Sequence, residues 1–386
     1  MTVELDYKIV KKLSATNLRD RRDLSPFGLP MRVGRYQLTE PLGVGGMAEV
    51  YKATSTGPGG FERTVVIKRI LPASSADPTF VRMFVAEAKI LGMLNHPNVV
   101  QAYDFGEADG TLFLVLEYAD GPSLFRAMQA LRSVNRLMPI VIAAHFAHEI
   151  CRALDYVHSL QGSDGEPMRV VHRDVTPSNI VLTSAGALKL LDFGVARYSA
   201  TAAFSEHGAI RGKAAYLAPE ALRGDPIDGR VDIFALGVVL HEMLTLKDLF
   251  ASESNLGTLH KVLEMEIPRP SAARADVPAE LDAIVMKALQ RDPARRYASA
   301  AEMARDLNEF VVSARLRTDE IVEFVRDVQI ELARQRRALP ALVAEARPLS
   351  ASPAWDAHET VPAAARRPRL SRLRHFFSRW RQWGRR

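Results

Sequence analysis

The stretch Val171–Asn179, which reads Val-His-Arg-Asp-Val-Thr-Pro-Ser-Asn, constrains this chain more than any other part of its sequence. Asp192 follows eighteen positions after Asp174, and two short apolar runs between them predict a hairpin. The side chains of Asp174, Asn179 and Asp192 are therefore expected on two neighbouring turns. One carboxylate that accepts a proton and two oxygen ligands for magnesium are the groups that a phosphoryl-transfer site requires.

The bulk composition is typical of a soluble globular protein, with 47% apolar and 25% charged residues among 386. This length allows a two-lobed domain of about 250–300 residues with tails. The lone cysteine, Cys151, excludes an intrachain disulfide and is assigned to a helix core. Because no apolar run is long enough for a signal peptide or a membrane-spanning helix, we expect a cytoplasmic protein.

The net charge of +6 comes from the end of the chain. Residues 366–386 contain nine arginines and no acidic residue, so the rest of the chain is net acidic. A polyanionic partner is therefore expected at this tail.

A glycine-rich stretch, Leu42–Ala53, follows a predicted strand that begins at Tyr36. Glycines let backbone N–H groups approach and cradle phosphates, although an ordinary tight turn is the alternative when the stretch is taken alone. The next segment, Thr64–Ile70, is rich in β-branched residues and predicts a strand with Lys68 and Val66 on one face.

The segment from Pro78 to Leu94 has a helical apolar period that includes Glu87. Its apolar stripe consists of Phe80, Phe84, Leu91 and Leu94. A carboxylate on an apolar face needs a partner, and Lys68, 19 residues earlier, is the expected one.

Further elements and motifs follow in the same order along the chain. The patterns predict strands at Val99–Phe105 and Thr111–Tyr118 and helices at Leu124–Leu131 and Ile140–Leu160. Three later motifs are Ala218-Pro219-Glu220, Asp232–Gly237 and Arg291–Tyr297.

Together these segments resemble the ordered motifs of bacterial eukaryotic-like (Hanks-type) serine/threonine protein kinases, over roughly residues 36–311. The resemblance implies an α+β, two-lobed protein kinase fold, with a small N-terminal lobe of antiparallel sheet and one main helix, and a larger, mostly helical C-terminal lobe. We divide the chain into a disordered extension (1–35), a kinase domain (36–311), a helical extension (312–340), an Ala/Pro-rich linker (341–365) and a basic aromatic tail (366–386). A small regulatory segment is the alternative for residues 1–35.

The resemblance also implies ATP and Mg²⁺ as cofactors and assigns the site residues. Asp174 is the implied proton acceptor, Lys68 holds the phosphates, and Glu87 fixes Lys68; Asn179 and Asp192 are the implied metal ligands. The implied nucleotide-binding residues are Leu42, Gly43, Val44, Gly45, Gly46, Val50, Lys68, Leu116, Glu117, Ala119 and Val181. Among them Leu116 is the gatekeeper, and Glu117 and Ala119 act through backbone groups, so their side chains are expected to matter little. The arginine of the late motif, Arg296, is expected to pair with Glu220.

One exchange of residues departs from the family pattern. Kinases of this type usually carry lysine two residues after the catalytic aspartate and threonine before the Ala-Pro-Glu motif, whereas here these positions hold Thr176 and Lys213. We hypothesise that Lys213 reaches back to Asp174 and the γ-phosphate region and supplies the missing cation. In the activation segment, 195–217, a phosphate could pair with Arg173. The candidate phosphorylation sites are Ser199, Thr201 and Ser205.

The segment Arg315–Leu339 predicts an amphipathic helix with Thr318 as its N-cap. Its apolar positions are Ile321, Phe324, Val325, Val328 and Leu332. We favour packing against the large lobe over pairing with a partner. In the tail, arginines interleave with leucine, phenylalanine and tryptophan, which favours binding to an anionic membrane surface, at the inner face of the membrane, or to an acidic partner. Nucleic acid and a solvated, disordered tail are the alternatives.

The predicted function is serine/threonine phosphorylation of proteins by the γ-phosphate of ATP, with autophosphorylation of the activation segment. The expected partners are protein substrates that carry serine or threonine, and a second copy of the chain. Two alternatives are an ATP-binding kinase-fold scaffold with little activity, and a membrane- or polyanion-binding protein with a regulatory kinase domain.

Overall fold

The structure is a computed structural model that describes residues 31–75, 77–162, 164–193 and 213–345. The predicted N-terminal extension up to residue 30, the three candidate phosphorylation sites, most of the linker and the basic tail lie outside the described residues. Residues up to Arg336 belong to one compact unit, and residues from Arg337 onward belong to a second.

A six-stranded antiparallel sheet forms the N-terminal lobe, in the order β1-β2-β3-β4-β6-β5. Its strands are β1 (Met31–Val33), β2 (Tyr36–Val44), β3 (Ala48–Thr56), β4 (Glu62–Ile70), β5 (Ala102–Ala108) and β6 (Thr111–Glu117). Strand β1 was not predicted, because residues 1–35 were assigned to a disordered extension; Met31–Val33 instead pairs with the start of β2.

The two faces of this sheet have different roles, because side chains alternate along a strand. Tyr51 and Ala53 of β3 join Val65 and Ile67 of β4 in a small apolar cluster on one face. Their neighbours in sequence, which include Lys68, are directed to the opposite face. The sheet thereby separates a closed apolar core from the face that carries the candidate site.

The C-terminal lobe is mostly helical, as predicted. The helices of the described residues are α1 (Pro72–Ser75) and α2 (Pro78–Met93) in the N-terminal part, then α3 (Leu124–Ser133), α4 (Ile140–His158), α5 (Pro219–Arg223), α6 (Arg230–Thr245), α7 (Asn255–Glu264), α8 (Pro270–Ala273), α9 (Ala279–Ala288), α10 (Ala300–Ser313) and α11 (Thr318–Glu345). Helix α6 is buried from Val231 to Thr245 and packs against α4 and α9, so it lies at the centre of the lobe. A two-stranded hairpin, β7 (Ile180–Leu182) with β8 (Leu188–Leu190), completes the architecture and confirms the predicted fold class.

Helix α2 begins at Pro78 as predicted, after an Asp77 side chain that accepts a hydrogen bond from the N–H of Thr79. Its apolar stripe is shorter than expected. Phe84 is buried, but Phe80 is exposed, because residues 77–80 of the first turn all lie at the surface. Of the predicted stripe, Phe84, Leu91 and Leu94 are therefore buried and Phe80 is not.

Strand β5 begins at Ala102 and not at the predicted Val99. The residues before it bond to the hairpin instead: Val100 N–H donates to the Leu190 carbonyl, and Leu190 N–H donates to the Asn98 carbonyl, at 3.0 and 2.8 Å. These bonds connect the segment after α2 to the hairpin that carries the turns of the site.

Helix α11 packs on the large lobe up to the end of the first unit. Phe324 is buried with its ring centroid 6.2 Å from that of Phe146, and Arg136 pairs with Asp327 at 2.8 Å. Thr318 is the first helical residue and not the N-cap; the carboxylate of Glu320 accepts the N–H of Arg317 at 2.9 Å.

The helix ends at Glu345, beyond the predicted linker boundary at 341. Pro340 lies inside this helix, where a proline removes one backbone hydrogen bond. Every helix in the described part of the chain is too short or too polar to span a lipid bilayer.

Candidate active site

Helix α6 holds the Val171–Asn179 turn through one buried carboxylate. Asp232 accepts hydrogen bonds from the N–H groups of His172 and Arg173, both at 2.8 Å, and contacts His158 Nε2 at 2.9 Å. Arg173 has a left-handed backbone (φ 63°), which is strained for a residue other than glycine. Burial alone would raise the pKa of Asp232, but His158 and the other donors outweigh burial, and the pKa is lowered.

The ring of His172 joins the two turns. It is fully buried, and burial lowers its pKa, so the imidazole is neutral. Nε2 lies 3.0 Å from the Leu191 carbonyl, and Nδ1 accepts the N–H of Asp174 at 3.3 Å. These two contacts require the proton on Nε2. The ring centroid lies 4.5 Å from that of Phe193, next to Asp192.

Asp174 is the centre of the turn. Its Oδ2 accepts Asn179 Nδ2 at 2.8 Å and Lys213 Nζ at 2.5 Å. Asn179 also donates to the backbone carbonyl of Asp174 at 2.8 Å. The hypothesis that Lys213 reaches Asp174 therefore corresponds to a direct ion pair.

Lys68 connects the N-terminal lobe to the second turn. Its ammonium contacts Glu87 Oε1 at 2.6 Å and Asp192 Oδ1 at 2.9 Å, so the ion pair expected from the sequence is present, with Asp192 added to it. Burial by itself lowers the pKa of Lys68, but the carboxylates of Asp192 and Glu87 outweigh burial and raise it. The charge of Lys68 lowers the pKa of Asp192, whose backbone is also left-handed (φ 46°).

The predicted nucleotide-binding residues lie on the elements around this network. Val50 pairs directly with Lys68 across β3 and β4, while Gly43 pairs with Val50 and Val44 with Glu49. Leu42 is half-exposed on β2, and Gly45 and Gly46 lie in the turn between β2 and β3. Leu116, Glu117 and Ala119 lie at and after the end of β6, and Val181 is on β7.

The residues present fit a magnesium ion by their chemistry. Both amide hydrogens of Asn179 are directed to Asp174, so the amide oxygen is the group left for a cation. Asp192, just after β8, supplies a carboxylate whose Oδ1 contacts Lys68. Carboxylate and amide oxygens are the hard ligands that Mg²⁺ prefers.

Comparisons with known proteins identify the family of this chain. The family model of the protein kinase domain matches residues 36–308, which is more than two thirds of the chain. The chain belongs to the protein kinase family. The match begins at the first residue of β2 and ends within α10, so β1 and α11 lie outside it.

Relatives of this kinase domain occur in several bacteria. The chain is 39% identical over 278 residues to a protein named tyrosine-protein kinase MasK from Myxococcus xanthus, covering 72% of this chain and 43% of that one. It is 39% identical over 280 residues to serine/threonine-protein kinase PknB of Mycobacterium tuberculosis, covering 71% of this chain and 42% of that one. The chain thus spans less than half the length of these curated relatives. Among solved structures, the PknI kinase domain of M. tuberculosis matches with a TM-score of 0.55 and 29% identity, over 72% of this chain and 97% of that one.

Two contacts of the kinase domain were not expected from the sequence. The Glu117 side chain accepts Lys189 Nζ at 2.8 Å and the Gln101 N–H at 3.2 Å, so it joins the end of β6 to β8 and to the residue before β5. This side chain therefore has a structural role in addition to the backbone role expected of Glu117 toward adenine. Glu117 and Lys189 are 72 residues apart, and no local sequence pattern predicts that they form a pair.

The end of the activation segment is anchored on α5 and α6. Arg296 forms two hydrogen bonds to Glu220, at 2.5 and 2.7 Å, as expected. Tyr216 donates to Glu242 at 2.7 Å. Lys213 opens the short helical turn Lys213–Tyr216, so these anchors hold the backbone from which its ammonium reaches Asp174.

Thr176 completes the exchange noted in the sequence. Its hydroxyl is buried and, within the described part of the chain, has no hydrogen-bond partner. A small opening beside it is lined by Asp174, Lys213 and Tyr216. The Thr176 hydroxyl therefore forms no hydrogen bond to Asp174, and the contact to Asp174 comes from Lys213.

Proposed function

We propose that the chain is an active protein kinase that transfers the γ-phosphoryl group of ATP to serine or threonine hydroxyls of proteins. The observation that carries this proposal is the presence of two charge networks, one around Lys68 and one around Asp174. Lys68 contacts both Glu87 and Asp192, and Asp174 contacts both Asn179 and Lys213. A scaffold without activity would not need all six side chains in this arrangement.

The phosphate-binding half of the mechanism rests on Lys68. Held by Glu87, its ammonium would contact the α- and β-phosphates of ATP and neutralise part of their charge. Asp192 and Asn179 would hold Mg²⁺, which when bound supplies positive charge to the phosphate oxygens. Because the pKa of Lys68 is raised and that of Asp192 is lowered, both groups carry their charges at neutral pH.

The acceptor half rests on Asp174. Its carboxylate is held by Asn179 and Lys213 and can orient the hydroxyl of a substrate and take its proton. The hydroxyl oxygen then forms the new bond to phosphorus, and ADP leaves. The protein contributes position and charge in this step and forms no covalent bond.

The decisive test compares variants of the purified chain in radiolabelled ATP assays. We expect Asp174→Asn to lower the rate by about 10²–10⁴-fold, because it removes the proton acceptor. We expect Lys68→Met to lower it by about 10²–10³-fold, because it removes a preorganised charge. Asp225→Asn, an exposed aspartate, is the matched control and should retain full activity. Equal incorporation in all four proteins would refute the proposal.

The hydroxyl specificity needs a separate readout. The relatives named PknB support serine and threonine, whereas the relative named MasK carries a tyrosine-protein kinase name. Phosphoamino-acid analysis of labelled substrate and of the chain itself decides between them. Mostly phosphotyrosine would overturn the serine/threonine assignment and leave the kinase assignment intact.

We propose Lys213 as the cation that the family usually supplies from the position of Thr176. The 2.5 Å contact with Asp174 supports this role, since it brings a positive charge beside the group that meets the acceptor. Lys213→Met should lower kcat by about 100-fold. Lys247→Met, at an exposed lysine, is the control. Unchanged activity of Lys213→Met would refute the role.

A double exchange gives a sharper test of the same role. Lys213→Thr alone should be impaired, and adding Thr176→Lys should recover activity, because the buried hydroxyl and the ammonium then occupy the positions usual in the family. A double variant that is no better than Lys213→Thr would mean that Lys213 acts only from its own backbone position.

We also propose that the chain acts in the cytoplasm, at the inner face of the membrane, through the basic aromatic tail at 366–386. The support is its sequence alone, nine arginines among aromatic and leucine side chains without an acidic residue. Full-length protein should bind vesicles that contain phosphatidylserine and release them as salt rises, whereas deletion of residues 366–386 should abolish binding. Failure to bind at moderate salt would exclude the membrane.

A further inference from the structure

A cluster of metal-ligating side chains lies in the middle of α4, among residues that the kinase site does not use. It consists of His145, His148 and Glu149, and one ligand atom from each lies within 4.8 Å of the others. Among the residues that the structure describes, no other group of three or more His, Cys, Asp or Glu side chains brings its ligand atoms this close together. The spacing explains it, because positions i, i+3 and i+4 share one face of a helix.

The distances approach those of a coordination sphere. With zinc bonds of about 2.0–2.1 Å and tetrahedral angles, neighbouring ligand atoms are about 3.4 Å apart. His148 Nδ1 and Glu149 Oε1 are already 3.2 Å apart, and the centroids of the two imidazoles are 6.5 Å apart. Because all three residues are on one rigid helix and partly exposed, side-chain torsions alone can bring the third ligand in.

The type of ligand selects the metal. Two imidazoles and one carboxylate suit zinc and other divalent transition metals, whereas Mg²⁺ and Ca²⁺ prefer oxygen ligands. We propose that His145, His148 and Glu149 form a binding site for a divalent transition metal, with zinc as the best-fitting ion and one position open to water or a further ligand.

One neighbouring charge opposes this site. Arg152 NH1 lies 3.5 Å from Glu149 Oε1 and competes for the carboxylate. Half of the arginine side chain is exposed, so it can turn into solvent when a cation binds. Removal of this arginine should therefore tighten zinc binding, which an ordinary intrahelical ion pair would not predict.

The same face of α4 docks the loop that follows α2. Tyr156, one turn after Arg152, accepts the N–H of Asn95 at 2.9 Å and stacks on His96 with ring centroids 5.2 Å apart. A metal ion bound to the cluster would therefore add positive charge near the loop after α2. Helix α2 is the helix that carries Glu87. The proposed metal site is separate from the phosphoryl-transfer site, and its existence does not depend on kinase activity.

The test is zinc titration of the full chain by calorimetry, without nucleotide and with excess Mg²⁺ present. We expect the double variant His145→Asn/His148→Asn to bind one zinc equivalent fewer than the natural protein. The control His260→Asn removes an exposed histidine on α7 and should keep the full stoichiometry. Equal stoichiometry and affinity in the double variant and the natural protein would overturn the proposal, as would a natural protein that binds no zinc.

Two further variants separate coordination from a structural effect. Glu149→Gln should weaken the same equivalent by at least tenfold, and Arg152→Gln should tighten it. Cobalt(II) added in place of zinc should give visible absorption that the double variant loses, and far-UV circular dichroism should show all variants folded. Weaker zinc binding by a folded Arg152→Gln variant would contradict the proposed geometry.

Discussion

Replacement of Asp232 by asparagine tests how the catalytic turn is held. The carboxylate accepts two backbone N–H groups on different oxygens, Oδ1 for Arg173 and Oδ2 for His172. An asparagine amide has one oxygen, so in either orientation one buried N–H meets an NH₂ group. The loss of one charge-assisted bond and the burial of an unpaired N–H should together cost about 3–5 kcal/mol of unfolding free energy.

The same change should impair catalysis. Arg173 keeps its left-handed backbone only while the turn is held, and Asp174 follows it directly. A displacement of about 1 Å at a reacting group can cost on the order of 100-fold, so we expect kcat of Asp232→Asn to fall by about 10–100-fold.

The assay is urea unfolding followed by far-UV circular dichroism, together with steady-state kinetics. Tryptophan fluorescence is unsuitable, because all three tryptophans lie after residue 350. Asp228→Asn is the matched control near the start of the same helix; its side chain is half-exposed and pairs with Arg230, so its cost should stay below about 1 kcal/mol. An Asp232→Asn protein within 1 kcal/mol of the natural one, with unchanged kcat, would refute the reasoning.

Three other predictions follow from packing, titration and close approach. Phe324→Ala should lower the unfolding free energy by about 3–5 kcal/mol, because the Phe324 side chain is buried in the core of the first unit. Ile330→Ala, at a half-exposed position of the same helix, should lower it by less than about 1 kcal/mol in the same urea assay. Burial raises the pKa of Glu242 to about 7, above the ordinary 4.5, so the native state binds the extra proton between these values. Stability should therefore fall as pH rises from 5 to 7, by up to about 1.4 kcal/mol per pH unit, and Glu242→Gln should remove this slope in unfolding measured across that range; an equal slope in the variant would contradict it. Gly121→Ala should lower the unfolding free energy by about 1–3 kcal/mol and raise the KM for ATP, because the new Cβ would lie 1.8 Å from a carbonyl oxygen of β7. Gly92→Ala, whose new Cβ would meet no heavy atom within 4 Å, should leave the unfolding free energy unchanged or raise it.

Several features were predictable because they are local. The period of two along β4 and the helical period of α2 placed Lys68 and Glu87 on facing surfaces, and the structure has their ion pair at 2.6 Å. Phe80 fits the same period but is exposed, because periodicity does not show how much of a helix is covered by the rest of the protein. The start of β5 was misplaced for a related reason, because Val100 bonds to the hairpin and not to a neighbour in the sheet.

The sequence by itself determined the order of strands, helices and turns and the identity of the charged residues on them, because periodicity, glycine and proline act over a few positions. Only the tertiary structure showed that Lys68 also contacts Asp192, and that Lys213, which was hypothesised to reach Asp174, forms a direct ion pair with it. Lys68 and Asp192 are 124 residues apart, and Asp174 and Lys213 are 39 apart. Such contacts depend on how the lobes and loops pack, and the same packing stabilises the strained backbone at Arg173 and Asp192 that no local preference favours.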